Sequence, residues 1–216
     1  MKILFTLAFS LMVTYLTYAQ ERDFSEEQEM QTVFNRNKKA KVSGFISPAM
    51  SFSTINVTQG SHTTQHFAHY MGGGLAVTIN NFFLGGYGQG LTVEIDYPGG
   101  SEGEYINFGH GGLWFGYTFA SKWVVHPVVH VRTGWGSIGK RYSYNDNHDW
   151  PDLEESGDAV FVVAPTVELE ANISRFFRIS AGYERNYVNG INEIPALVNG
   201  MNNEGVFIAF KFGWFY

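Results

Sequence analysis

Apolar and polar side chains alternate along most of the chain from residue 41 onward. In a β-strand, residues two apart lie on the same face, so this period of two predicts strands. In the final run, Val206, Ile208 and Phe210 share one face, and Lys211 lies on the other. The pattern predicts eight strands, with approximate bounds at about 41–56, 67–79, 82–97, 104–119, 123–138, 159–171, 176–188 and 204–216.

The connections between the predicted strands alternate in length. Those after the second, fourth and sixth strands are short, at about 80–81, 120–122 and 172–175. The other four are longer, at about 57–66, 98–103, 139–158 and 189–203. Tight turns at one end and long loops at the other are typical of membrane barrels. The predicted fold class is therefore all-β, an eight-stranded antiparallel transmembrane β-barrel with short periplasmic turns and longer outer loops.

Each predicted strand has one bulky apolar face and one face of small or charged residues. In the third strand, for example, Phe83 and Tyr87 lie opposite Gly86 and Glu94. A membrane barrel turns its apolar face outward, and a soluble barrel turns it inward. Aromatic residues beside every short turn favour the outward orientation, because a membrane barrel carries an aromatic girdle at the lipid interface. The predicted girdle consists of Phe82, Phe83, Phe119, Trp123, Phe176, Phe177, Phe215 and Tyr216.

The opposite faces predict a charged lumen. An eight-stranded barrel has an interior just wide enough for side chains to fill it, so charges there must pair or meet water. Glycines on these faces, among them Gly72, Gly74, Gly86, Gly88, Gly90 and Gly112, would leave space for long side chains. The two interpretations are a structural salt-bridge network that plugs the barrel and a gated narrow pore. The predicted lumen charge network consists of Glu94, Asp96, Arg132, Glu168, Glu170, Arg178, Glu184 and Lys211.

The N-terminal segment has the pattern of a secretory signal peptide. Lys2 is followed by an apolar run from Ile3 to Leu16, and small residues precede a cleavage site after Ala19. The run is shorter than the roughly 20 residues that span a bilayer. We expect three segments: a signal peptide at 1–19, a periplasmic leader at 20–40 and the outer-membrane barrel at 41–216.

Composition narrows the function further. The chain has no cysteine, so it has neither a disulfide nor a thiolate metal ligand. Its formal charge of −6 does not suggest a nucleic-acid partner. His126 and His130 share a face but are about 13 Å apart along a strand, too far to hold one metal ion. The sequence therefore predicts no metal site and no cofactor.

The last strand supports a resemblance to a known family. The alternating run from Val206 to Tyr216, which ends in an aromatic residue, looks like the closing strand of outer-membrane barrels. With a signal peptide and eight strands, the chain resembles the small OmpA/OmpX-type barrels, and Gln20 and many Gly-aromatic pairs look like those of Bacteroidetes proteins. The resemblance implies that the barrel-assembly machinery recognises the C-terminal strand.

The leading functional hypothesis is a non-enzymatic, integral outer-membrane protein with a structural or cell-surface binding role. Its expected partners are outer-membrane lipid and an unknown ligand of the outer loops. One alternative is a lipid-modifying hydrolase, for which Ser137, His148 and Asp149 are the available residue types without a motif. The others are a narrow pore and a soluble periplasmic barrel that binds an apolar ligand.

Overall fold

The computed structural model describes residues 40–95, 104–142 and 156–215. The predicted signal peptide and all but the last residue of the predicted leader lie outside the described residues. So do Asp96, His148, Asp149 and Tyr216.

The described residues form long antiparallel strands. The strands are β1 (Val42–Gln59), β2 (His62–Ile79), β3 (Phe82–Ile95), β4 (Glu104–Thr118), β5 (Val125–Tyr142), β6 (Ser156–Asn172), β7 (Phe177–Arg185), β8 (Tyr187–Asn189) and β9 (Glu204–Gly213). β7 and β8 are two parts of one bent strand, since both pair with β6 in the same register on either side of Asn186.

The strands close into a ring. β1 pairs with β2, β2 with β3, and so on to β6, while β6 pairs with β7, β7 with β9 and β9 with β1. Counting β7 and β8 together, the ring contains eight strands, which confirms the predicted fold class. Closure leaves no sheet edge, so strands can satisfy their backbone hydrogen bonds within a bilayer. No helix among the described residues is long and apolar enough to cross a membrane.

One predicted long loop is wrong. The loop expected at about 57–66 is a two-residue turn, because Gln59 pairs directly with His62. Gly60 adopts a φ of 62°, a left-handed conformation that suits a tight hairpin turn. The alternation of side chains continues through both arms of the hairpin, so β1 and β2 each reach 18 residues.

The orientation of the third strand is also opposite to the prediction. Phe83, Tyr87 and Leu91 are buried in the barrel interior, whereas Glu94 is exposed and faces outward. Glu94 is therefore not a lumen charge, and Phe83 is not part of a lipid-facing girdle. By the same alternation, the glycines at 86, 88 and 90 face outward and do not line the lumen.

Steric fit explains this reversal. Neighbouring strands place glycines on the inner face, and a Cβ added at Gly116 would lie 2.5 Å from the ring of Phe83. A Cβ added at Gly74 would lie 2.9 Å from the ring of Trp114. A small barrel must fill its own interior, so large side chains on one strand point into the space left by glycines on the next.

The outer surface is apolar over a broad belt. Its exposed side chains include Ile46, Leu75, Leu84, Leu113, Phe115, Val167, Leu169 and Phe212. Glu168, Glu170 and Lys211, in contrast, are each 2% exposed or less. The charged side chains of this middle layer thus lie inside, and the surface around them is apolar, the reverse of a water-soluble barrel.

Candidate functional site: a charged layer inside the barrel

The charged side chains come from four strands that are consecutive in the ring. Arg132 lies on β5, Glu168 and Glu170 on β6, Arg178 and Glu184 on β7, and Lys211 on β9. All are at inward positions in their strands and all are buried. The opposite wall, made of β1 to β4, contributes aromatic side chains, of which Phe45, Phe83 and Trp114 form one cluster.

Lys211 joins the two walls. Its Nζ lies 2.5 Å from Glu168 Oε1 and 2.5 Å from Glu170 Oε2. The same ammonium group lies 5.7–6.0 Å from the ring centres of Phe45, Phe83 and Trp114. Two carboxylates and three aromatic faces together replace the water that a buried ammonium group loses.

Glu170 is shared by three partners. Besides Lys211, its Oε1 accepts a hydrogen bond from Arg178 Nη1 at 2.7 Å and lies 3.0 Å from His126 Nε2. The other ring nitrogen of His126 lies 3.1 Å from the carbonyl oxygen of Trp123. Both nitrogens of His126 thus face acceptor oxygens.

A second polar group, built around one ion pair, lies further from the short turns. Arg132 forms an ion pair with Glu184 and donates a hydrogen bond to Gln89. Ser51 Oγ donates to Glu184 Oε1 at 3.1 Å, and the guanidinium carbon of Arg132 lies 4.8 Å from the ring centre of Phe207. These contacts connect β1, β3, β5, β7 and β9 across the lumen.

The formal charges of the described network balance, with the histidines counted as neutral. Arg132, Arg178 and Lys211 face Glu168, Glu170 and Glu184. Because every member is desolvated, loss of one partner leaves an uncompensated buried charge, which costs several kcal/mol. The arrangement fixes neighbouring strands to one another and fills the lumen.

The outer half of the interior has a different chemistry. Inward side chains such as Ile106, Ile138 and Val162 form an apolar cluster with the connection at 190–203. This connection contains a short 3-10 turn, Pro195–Leu197, and it buries Ile191, Ile194, Leu197 and Met201 inside the barrel.

Polar contacts hold this connection in place. Asp158 Oδ2 accepts hydrogen bonds from the backbone N–H groups of Asn192 and Glu193, both at 2.8 Å. Asn203 Nδ2 donates to Tyr70 Oη at 3.1 Å. We call residues 190–203 the inner loop, because its apolar side chains occupy the barrel mouth.

Several site residues could not be recognised from the sequence. Gln89, Tyr87 and Phe45 belong to the lumen, and the inverted assignment of the third strand concealed the first two. The available signal was Gln89 itself, a polar residue in the middle of the face that was expected to contact lipid.

The residues expected to form the girdle lie in different surroundings. Phe82, Trp123 and Phe176 are exposed on the outer surface beside the short turns. Phe119 and Phe177 are half-buried against other aromatic rings at the same end.

Phe215, in contrast, does not face lipid. Its ring lies against Phe45, and the guanidinium carbon of Arg178 is 3.9 Å from its centre, so the prediction for Phe215 is wrong. At the same end, Trp214 is 54% exposed and takes the outward position.

The other chemical candidates gain no support from the geometry. Ser137 is exposed on the outer surface of β5, and its proposed catalytic partners lie outside the described residues. Within the described ranges, no group of three or more His, Asp or Glu side chains is arranged to hold a metal ion.

The closed ring, the apolar exterior and the filled, charged interior define a small eight-stranded β-barrel with the polarity of a transmembrane barrel. No protein-family model matches the chain, and no curated protein matches it. Among solved structures, Neisserial surface protein A is 12% identical, with 83% of this chain and 100% of that chain covered and a TM-score of 0.49.

Two other barrels are similar in the same comparison. The N-terminal β-barrel domain of Pseudomonas aeruginosa OprF is 14% identical, covering 82% of this chain and 100% of that chain, with a TM-score of 0.49. Ail, the attachment invasion locus protein of Yersinia pestis, is 12% identical, with 80% of this chain and 98% of that chain covered and a TM-score of 0.40. The architecture itself is defined by the strand ring and the surface described above.

Proposed function

We propose that this protein is an integral protein of a bacterial outer membrane, where its barrel is a structural element and a rigid scaffold for surface binding. The observation that carries the proposal is the inverted distribution of polarity, with apolar side chains outside and a balanced charge network inside. Such a surface requires lipid, and a closed barrel is the strand architecture that lipid permits.

The height of the apolar belt supports this proposal. Tyr187 lies ten residues after Phe177 along the bent strand of β7 and β8. At about 3.3 Å per residue and a tilt of about 40°, these positions are roughly 25 Å apart along the membrane normal. Exposed aromatic side chains toward that end of the barrel include Phe67, Trp135 and Tyr187. A belt of that height with aromatics at both borders matches the hydrocarbon core of an outer membrane.

The test is membrane fractionation combined with heat-modifiable migration on a gel. We expect the protein in the outer-membrane fraction, extractable only with detergent, with unboiled samples migrating differently from boiled ones. Release of folded protein without detergent would contradict the proposal and would favour the soluble barrel.

The filled interior argues against an open pore. The charge network occupies the middle of the lumen, and the inner loop closes the outer half with apolar side chains. We expect no stable ion current in planar bilayers beyond that of protein-free controls. A reproducible current that changes when Arg132 or Glu168 is neutralised would instead support the narrow pore.

Binding at the cell surface is the finer part of the proposal. The hairpin of β1 and β2 ends in an exposed two-residue turn. This turn lies at the end of the barrel opposite the turns that follow β2, β4 and β6, and connections on a rigid scaffold commonly carry binding. Grafting a short epitope between Gly60 and Ser61 tests whether this turn is accessible on intact cells. We expect antibody labelling without permeabilisation.

Recognition by the barrel-assembly machinery through β9 stays a prediction. Phe210 and Phe212 lie at outward positions in β9 and stack on Phe177. Replacement of Phe212 by Asp should slow insertion of the protein into the outer membrane, whereas Phe212→Leu should not. The measurement is the fraction of heat-modifiable protein after a short pulse of synthesis.

A further inference from the structure

The wall of the barrel has a gap in its outer half. The ladder between β2 and β3 ends where Met71 pairs with Gly90. Beyond these residues, β2 continues as far as His62 in its pairing with β1, and β3 continues as far as Ile95 in its pairing with β4. The ring is therefore closed up to the level of Met71 and Gly90. Above that level, the described parts of the two hairpins are not paired with each other.

A pocket of about 620 Å³ lies at this gap. We call it the lateral pocket. Its lining includes Leu91, Phe108 and Ile138, which belong to the outer apolar cluster, and Met71, which is exposed on the outer surface. The lateral pocket thus borders both the lipid-facing surface and the apolar part of the interior. Its volume is in the range of roughly 300–1,000 Å³ that is typical of small-molecule sites.

Glycines keep the lateral pocket open. Gly90, Gly109, Gly139 and Gly157 contribute backbone but no side chain to its lining. A Cβ added at Gly109 would meet no atom of the described residues within 4 Å, so a side chain at this position would extend into free space. The neighbouring side chains of the barrel therefore leave room at Gly109 for another molecule.

The lateral pocket lies in the outer part of the apolar belt. Gly90 follows Phe82, at the short-turn border, by eight residues. At about 3.3 Å per residue and a tilt of about 40°, Gly90 is roughly 20 Å from that border along the membrane normal. Thr92 lies one step higher on the same face and donates a hydrogen bond to Asn107 Oδ1 at 2.8 Å. An apolar pocket with polar residues at its upper edge matches a molecule that has a hydrocarbon chain and a polar head.

His69 adds a polar group to the lining. Its ring stacks on that of Phe52, with the ring centres 4.9 Å apart. Its Nε2 is shielded from solvent and has no hydrogen-bond partner among the described residues. A shielded nitrogen without a partner is costly, and the head of an amphipathic molecule in the pocket can supply that partner.

We propose that the lateral pocket holds one acyl chain of a membrane lipid, with the polar head of the lipid beside His69 and Thr92. The surrounding lipid tails are as apolar as the pocket, so binding relies on close packing and on polar contacts rather than on release of water. Bare backbone at Gly90 and Gly109 lets a chain approach the wall closely, and Leu91, Phe108 and Ile138 supply the packing surface. The inference rests on the membrane location proposed above.

The test is native mass spectrometry of the purified protein in a nonionic detergent, titrated with palmitoyl-oleoyl phosphatidylethanolamine. We expect one lipid per barrel to bind more tightly than any further lipid. Gly109→Leu should fill the pocket and weaken this first binding step by about tenfold. Gly88→Leu is the matched control, because a Cβ at Gly88 also meets no described atom within 4 Å, but Gly88 does not line the pocket. This control should bind lipid like the unchanged protein.

Heat-modifiable migration verifies that both variants fold. The proposal is overturned if the two leucine variants bind lipid equally, or if successive lipids bind with no preference for the first. It is also overturned if a protein dimer forms in place of the lipid adduct and Gly109→Leu abolishes it, because the pocket would then be an interface with a second copy. Recovery of folded protein without detergent would refute the membrane location itself. Equal lipid binding by two variants that fractionate with the outer membrane would refute the lateral pocket alone.

Discussion

Lys211 shows how a single buried residue organises this interior. Its ammonium group pairs with two carboxylates on β6 from a position on β9, with β7 between them in the ring. Burial of such an ion pair removes water from both charged partners, which costs free energy. The pair therefore matters mainly because removal of one partner leaves the other charge buried and uncompensated. The aromatic rings of Phe45, Phe83 and Trp114 exclude water from the same site and raise that penalty.

The first prediction concerns this residue. Lys211→Met should lower the free energy of unfolding by about 3–5 kcal/mol, since it leaves Glu168 and Glu170 buried with fewer positive partners. Arg185→Met is the matched control, because Arg185 is about half exposed, and its loss should cost less than about 1 kcal/mol. Urea unfolding of the refolded barrel measures both. Equal effects of the two substitutions would show that the network is not desolvated.

The residue scale also shows where a sequence pattern is sufficient. The inward positions of Arg132, Glu168 and Lys211 follow from alternation with long apolar neighbours on the same strand. Glu94 has the same local pattern, but it is exposed and faces outward near the end of β3. A charged side chain near a strand end can reach water on either face. Its presence there does not show which face of the strand points into the lumen.

At the scale of the element, the neighbouring strands decide which face of β3 points into the lumen. One face carries Phe83, Tyr87 and Leu91 and the other carries Gly86, Gly88 and Gly90, and strand geometry allows either face to point inward. Glycines on the inner faces of adjacent strands leave volume that only the aromatic face can fill. The sequence of β3 alone does not contain this information.

The second prediction tests this fit with two glycines. A Cβ at Gly116 would meet His130, Phe83 and the backbone of Val129 at 2.5–2.6 Å, whereas a Cβ at Gly88 would meet nothing within 4 Å. Gly116→Ala should therefore destabilise the barrel by about 1–3 kcal/mol through overpacking. Gly88→Ala should change stability by less than about 0.5 kcal/mol. A neutral Gly116→Ala would mean that Phe83 does not occupy the lumen.

The third prediction concerns the inner loop. Leu197 is fully buried in the outer apolar cluster, and the adjacent Val198 is 42% exposed. Leu197→Ala should lower the free energy of unfolding by about 2–5 kcal/mol, and Val198→Ala should have a much smaller effect. The backbone amides of residues 190–203 should also exchange hydrogen faster in the Leu197→Ala variant than in the Val198→Ala variant. Equal exchange in the two variants would indicate that the loop does not depend on Leu197.

At the scale of the whole molecule, closure of the ring and inversion of polarity act together. In a closed barrel every strand forms backbone hydrogen bonds with a neighbour on both sides, so no sheet edge is left. The apolar belt then makes lipid the favourable surroundings. The interior is divided along the barrel axis into the charged layer and the outer apolar cluster. Both fill the lumen, which is consistent with a closed scaffold.

The fourth prediction tests orientation in cells. The chain has no cysteine, so single cysteines give a clean background for labelling. Ser61→Cys, at the exposed turn between β1 and β2, should react with a membrane-impermeant maleimide on intact cells. Lys122→Cys, in the turn between β4 and β5, should react only after the outer membrane is permeabilised. The opposite result would invert the proposed topology.

The sequence by itself determined the strand count, the three short turns after the second, fourth and sixth strands and the polarity of most strand faces, because these follow from the period of two and from turn-forming residues. Only the tertiary structure decided which face of β3 lies inside, how far the first hairpin extends and which charges meet. These features depend on packing between strands that are distant in sequence, where volume and charge are balanced across the lumen and no single segment contains the answer.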